Sequence, residues 1–137
     1  ERVKALTRIS GIHVTGKVED VRPYVRSATV FVSPLRVGSG VKNKILAAMA
    51  MEKAMVATPL SIDGLDVADN REVLLAEDPQ AFAEKVVRLL VDQEEVRRLG
   101  ANGLACVRSK YSWGAMGKSL ESAIQSVVTS AAQRTVR

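Results

Sequence analysis

The chain has 137 residues, 47% of them hydrophobic and 26% charged, with aromatics at 4%; this balance fits one packed domain with an aliphatic core and excludes an extensively disordered chain. The 20 Lys and Arg against 15 Asp and Glu give a net charge of +5, which suits an acidic substrate, an anionic membrane surface or nucleic acid without choosing among them. One His and one Cys leave no metal-ligand cluster and no disulfide framework, and no apolar run reaches the roughly 18 residues that span a bilayer.

The opening Glu1-Arg2-Val3-Lys4 does not resemble a signal peptide, so a cytoplasmic address is expected by default. The absence of an initial Met and a start in mid-pattern suggest a piece of something longer. Residues 3–9 are expected to end a helix, which Ser10-Gly11 stops before Ile12-His13-Val14-Thr15, a β-branched run closed by Gly16 and expected as a strand. Asp20 is placed to cap a short helix with Pro23 in its first turn and Val21, Tyr24 and Val25 facing inward, ending near Ser27. Residues 29–33, Thr-Val-Phe-Val-Ser, are apolar on both faces, as a central parallel strand should be. A helix over about 40–51 puts Val41, Ile45, Ala48 and Met49 on one face. Residues 54–58 follow as a strand closed by Pro59, 61–71 as a long loop around Gly64, and 72–76 as a candidate fourth strand.

Asp78-Pro79 is a helix start, with Asp as cap and Pro at the first position, ahead of the apolar stripe Phe82, Val86, Leu89 and Leu90. Asp92 with Glu95 has the form of a capping box, opening a helix that turns Val96, Leu99, Leu104 and Val107 inward and is weakened by Gly100 and Gly103. Ser112 can cap a last helix with Trp113, Met116, Leu120, Ile124 and Val127 on one side. Arg88, Arg97 and Arg98 read as solvated faces, Arg134 and Arg137 as a fraying tail, and Cys106 as a buried reduced thiol. The order of elements predicts an α/β fold: three-layer and Rossmann-like, with a mostly parallel sheet of three to four strands and C-terminal helices.

Gly38-Ser39-Gly40-Val41-Lys42-Asn43-Lys44 lies between a strand and a helix. Two glycines flanking a serine let the backbone approach a ligand, the free amides of the following helical turn favour an anion, and Lys42 or Lys44 supplies point charges for a diphosphate. On those residues alone, a flexible connection with solvated lysines is slightly favoured. In open α/β sheets, however, ligands collect at the carboxyl ends of strands, where this loop would lie. Gly16-Lys17-Val18, ending the first predicted strand, is a second candidate at the same edge, with Val18 against a base; an ordinary turn is as good a reading. A Rossmann dinucleotide fingerprint and a Walker loop are absent, and His13, the only imidazole, falls within a strand pattern that argues against a nucleophilic triad. The chain lacks the aromatic platforms and dense basic stripe of a nucleic-acid binder.

These residues resemble the second half of the donor-binding domain of family 4 (group 1) retaining glycosyltransferases, enzymes of two Rossmann-like domains facing a cleft. The resemblance runs through Val14-Thr15-Gly16-Lys17-Val18, then Val32-Ser33-Pro34-Leu35-Arg36-Val37-Gly38-Ser39-Gly40-Val41-Lys42-Asn43-Lys44-Ile45-Leu46-Ala47-Ala48-Met49-Ala50, then Met55-Val56-Ala57-Thr58-Pro59 and Tyr111-Ser112-Trp113. It implies a partial nucleotide-sugar-binding domain over 1–137, with the acceptor domain upstream and absent. It also implies transfer from a nucleotide-diphospho-sugar with retention and no essential metal, and an isolated chain that is inert. Gly38, Ser39, Gly40, Val41, Lys42 and Lys44 would then take the donor phosphates, and Gly16, Lys17, Val18 and position 47 the base and ribose.

The chain departs from that family's pattern at the two glutamate positions, at the end of the helix, and in lacking the acceptor domain and the first βα units of the donor domain. Ser39 and Ala47 stand where the family typically has two glutamates, and Ala47 removes a ribose acceptor, about 1–3 kcal/mol of binding. Glu52 and Ala54 replace the usual Gly and Pro. A non-catalytic nucleotide or polyanion-binding module is the alternative function. A bared sheet edge would invite a homodimer, and a place peripheral to the inner face of the membrane would also suit the charge.

Overall fold

The structure, a computed structural model, describes residues 2–38 and 42–135, with side chains over 3–38 and 42–128. In chain order it comprises α1 (Arg2–Ala5) with a following 3₁₀ turn (Leu6–Arg8), α2 (Arg22–Ser27), β1 (Val30–Ser33), α3 (Asn43–Ala50), β2 (Ala54–Ala57), α4 (Pro59–Ile62), β3 (Leu74–Leu75), α5 (Pro79–Val91), α6 (Gln93–Cys106), a wide π turn (Val107–Tyr111) and α7 (Trp113–Thr135). The three strands are parallel in the order β1-β2-β3, with Val30 beside Ala54, Ser33 beside Ala57, and Ala57 beside Leu75.

Every residue of β2 is fully buried, so β2 is the central strand and β1, expected there, is an edge with Val32 46% exposed. Alternation along β2 divides the core into two layers. Met55 and Ala57 pack with Ile45, Ala48 and Met49 of α3, Val73 and Cys106. Ala54 and Val56 pack with Leu74, Leu89 and Leu99, joined by Phe82 and Val86 of α5. The resulting helix–sheet–helix arrangement is the three-layer α/β fold expected.

Residues 12–16 form no strand among the described residues. A strand persists only through a ladder partner, and among the described residues the ladder of β1 is with β2. The β-branched run therefore has no neighbour in β1, and both Ile12 and His13 are exposed. The short α2 also turns less inward than expected: Val21 and Tyr24 are exposed, and only Val25 reaches the core. Asp20 accepts from the Arg22 amide at 2.9 Å, but Val21 is the N-terminal flanking residue and has no side-chain cap.

α3 ends in a Schellman turn. The amide of Lys53 donates to Ala48 O at 3.1 Å and that of Glu52 to Met49 O at 3.0 Å, which leaves Glu52 at φ 56°. Lys53 Nζ reaches Arg26 O at 2.7 Å and Ala28 O at 2.9 Å, tying the end of α2 to the start of β2. Pro59 does not merely close β2; it opens α4 from its first turn.

Asp78 and Asp92 cap α5 and α6 as expected, each accepting at 2.9 Å from the amide three residues on. The Glu95 carboxylate does not complete a capping box. It is buried and pairs with Arg88 and Arg98, so these two arginines are engaged rather than merely solvated. Leu90 is exposed. Gly100 and Gly103, expected to weaken α6, are packing residues: Gly100 lies against the carbonyl of Glu52 and Gly103 against the side chain of Met49. Ser112 caps α7, accepting from the Ala115 amide at 3.2 Å. Its apolar stripe is turned out, with Trp113 94% exposed and Met116, Leu120, Ile124 and Val127 also exposed. α7 continues through Arg134, and Arg137 lies outside the described residues.

Candidate functional site

β1 delivers the chain to Pro34 and Leu35 at the carboxyl edge of the sheet, and α3 begins again at Asn43. The candidate loop is the connection between them. Gly38 has φ +148°, in the region that favours glycine, and a Cβ there would meet the Leu35 side chain at 3.4 Å. Ser39, Gly40 and Val41 lie outside the described residues. Lys42 is the N-cap of α3; among the described residues no side chain caps this helix, and its first turn carries no acid. Lys42 O accepts from the amides of Ile45 and Leu46 at 2.9 and 3.1 Å. Lys44 and Ala47, three residues apart and both exposed, share the face of α3 away from the buried Ile45, Ala48 and Met49. The basic first turn thus stands at the positive end of the helix dipole, where negative charge is favoured.

Gly16 has φ +68° with open space around it, Lys17 is exposed and Val18 half-buried. Among the described residues no hydrogen bond or ion pair joins 16–18 to residues 34–38 or to α3.

Beneath the loop lies a feature that pattern reasoning missed. Thr58 and Ser61, both buried, converge on the end of β1. Thr58 Oγ1 donates to Leu35 O at 2.6 Å. Ser61 Oγ donates to Ser33 O at 2.7 Å and accepts from Ser33 Oγ at 2.9 Å and from the Leu35 amide at 3.3 Å. The signal was present as Thr58-Pro59-Leu60-Ser61 after a buried strand. Thr flanks α4, Pro takes its first position, and the resulting turn carries Ser61 back over the strand end.

A second set of contacts fixes the loop after α4. Tyr111 Oη accepts from the Asp66 amide at 2.6 Å, and Lys110 Nζ reaches Asp66 Oδ2 at 2.6 Å. Arg98 and Asn102 donate to the carbonyls of Asn70 and Arg71, each at 2.8 Å. Hydrogen bonding and charge attraction from Lys110 hold the Asp66 carboxyl below its ordinary range, and Asp66 in turn raises Lys110. Burial pushes the Cys106 thiol up; it stays protonated and faces Asp66 O at 3.6 Å. Among the described residues no group of three His, Cys, Asp or Glu is placed to hold a metal, and no helix is long and apolar enough to cross a membrane.

The family model described as "Glycosyl transferases group 1" matches residues 1–92. The chain is similar to "Uncharacterized glycosyltransferase MJ1069" of Methanocaldococcus jannaschii, with 26% identity over 110 residues, covering 76% of this chain and 28% of that protein. Its fold is similar to the crystal structure of the C-terminal domain of a glycosyl transferase group 1 family protein (LpcC) from Francisella tularensis. There the TM-score is 0.69 at 24% identity, covering 82% of this chain and 60% of that one. The chain therefore spans under a third of the relative and about three-fifths of the solved domain.

Proposed function

Because the chain belongs to the glycosyl transferases group 1 family, we propose that it is a nucleotide-sugar-binding portion of a retaining glycosyltransferase, with the diphosphate of the donor at residues 38–44. In this reading the N-terminus of α3 and the ammonium groups of Lys42 and Lys44 stabilise the negative charge that grows on the departing diphosphate, which is electrostatic rather than acid–base work and asks for no essential metal. The acceptor is bound mainly by a domain outside this chain, so the chain alone binds the donor without transferring the sugar. The observation that supports this most is the strand–glycine–helix passage from β1 to α3, with Gly38 at φ +148° and a basic first turn free of acids.

Calorimetric titration with uridine and guanosine diphosphates and their sugar conjugates tests it. Binding selective for one base is expected in the millimolar range or tighter, with the Lys42→Ala, Lys44→Ala double variant weakened at least about tenfold by loss of charge-assisted hydrogen bonds. Equal affinity in the chain and the double variant would refute the placement of the diphosphate.

One observation favours a second function, a nucleotide or polyanion-binding module without donor chemistry: Ser39 and Ala47 leave the loop and the exposed face of α3 without a carboxylate. Ala47→Glu separates the two. It strengthens nucleotide-sugar binding under the transferase reading and does little under the other.

A further inference from the structure

Among the described residues, the hydroxyls of Thr58 and Ser61 grip the root of the glycine loop, and they grip it by backbone. Both main-chain groups of Leu35 are engaged: its carbonyl by Thr58 Oγ1 at 2.6 Å and its amide by Ser61 Oγ at 3.3 Å. Three residues later Gly38 lies against the Leu35 side chain, so a shift at Leu35 is carried directly into the loop. The other root, α3, is held independently by the buried Ile45, Ala48 and Met49. Counting protons sharpens the assignment. Each hydroxyl has one to give: Ser33 gives its own to Ser61, Thr58 to Leu35 O, and Ser61 to Ser33 O. The Thr58–Ser61 approach of 2.9 Å therefore lacks a proton while those three bonds stand. The network is saturated: removing the Thr58 hydroxyl takes the partner from Leu35 O and removing that of Ser61 takes it from the Leu35 amide, whereas Ser33 O keeps the Thr58 amide at 3.1 Å.

We propose that Ser61 and Thr58 are positioning residues that set the path of residues 35–38, and through it the fit of the glycine loop to a diphosphate. The affinity arm of this inference rests on the phosphate placement proposed above, whereas its geometric arm does not.

The test uses the whole chain with three variants: Ser61→Ala, Thr58→Val, which keeps shape and loses the hydroxyl, and Thr58→Ser, which keeps the hydroxyl. Backbone amide shifts are recorded at Val37, Gly38 and Lys42 and hydrogen exchange at Leu35, with Val56 and Leu74 as reports on the sheet, and uridine and guanosine diphosphates are titrated in parallel. In Ser61→Ala and Thr58→Val the amides of Val37 and Gly38 are expected to shift, and in Ser61→Ala the Leu35 amide, deprived of its acceptor, to exchange about tenfold faster, while Val56 and Leu74 keep their protection. Diphosphate affinity falls about tenfold in both, and Thr58→Ser restores the parent behaviour. Unmoved shifts at Val37 and Gly38, or protection lost equally at Val56 and Leu74, would overturn the positioning role in favour of a purely structural one. Unchanged affinity in a loop that has moved would overturn its link to the ligand. If the parent chain binds neither diphosphate, the phosphate placement fails, and the exchange arm still decides whether the hydroxyls set the loop.

Discussion

Gly100 offers the sharpest test of how the layers are held together. A Cβ added there would lie 3.0 Å from the carbonyl carbon of Glu52 and closer still to its oxygen. That carbonyl belongs to the Schellman turn ending α3 and has no flexible side chain to swing away. In an exposed helix interior, Gly→Ala stabilises by about 0.8–1 kcal/mol. Here the new methyl must push α6 off the end of α3, and overpacking of this kind costs about 1–3 kcal/mol, occasionally more. Separation also loosens Leu99 and Met49, both essentially fully buried. Because the contact is with backbone, the upper part of that range applies, and with the helix-propensity gain set against it Gly100→Ala is expected to destabilise by a net amount of about 1–2 kcal/mol. Gly103 is the internal control. Its added Cβ meets Met49 at ordinary distances of 3.5 Å and 3.7 Å, so Gly103→Ala should be neutral or gain up to about 1 kcal/mol from helix propensity. Urea unfolding of the two variants, with unchanged slope and shifted midpoint, measures the difference. Equal stability of the pair, or Gly100→Ala as stable as the parent, would refute the close-approach argument.

Glu52 at φ 56° occupies a conformation that costs a side-chain-bearing residue about 1–2 kcal/mol. Glu52→Gly should raise stability by about 1 kcal/mol, the gain being reduced by the greater freedom of glycine in the unfolded chain; a lower urea midpoint would contradict this. The Asp66–Lys110 pair carries a pH signature. Because the folded Asp66 is held below its ordinary range, its contribution is fully present above that range and is lost as pH falls through the lowered value. Lys110 is raised, so its share is present below the ordinary lysine range and lost as pH rises through the higher value. Asp66→Asn should flatten the acid limb of a stability–pH curve while leaving a neutral-pH spectrum of the core intact; an unchanged acid limb would show that the latch is not formed in solution.

Local chemistry determined much of this protein. Asp78-Pro79, Asp92 and Ser112 start helices, because a cap acts through amides two or three residues away. The spacing of Ile45, Ala48 and Met49 decided which face of α3 is buried, and the glycine–basic passage from strand to helix marked the candidate site before any fold was known. Tertiary structure decided what depends on a partner distant in sequence. The apolar run of 29–33 and the run of 54–57 look alike as strings, and only the pairing of β1, β2 and β3 made the second central and the first an edge. The β-branched run at 12–15 has strand propensity and no ladder, because hydrogen bonds between strands cannot be supplied by the segment itself. Gly100 looks like a weak point in a helix until the carbonyl of Glu52 is seen against it. The same holds for Ser61: its hydroxyl matters because a proline turn brings it to Ser33 and Leu35, 28 and 26 residues earlier in the chain. No property of the side chain alone could announce that meeting.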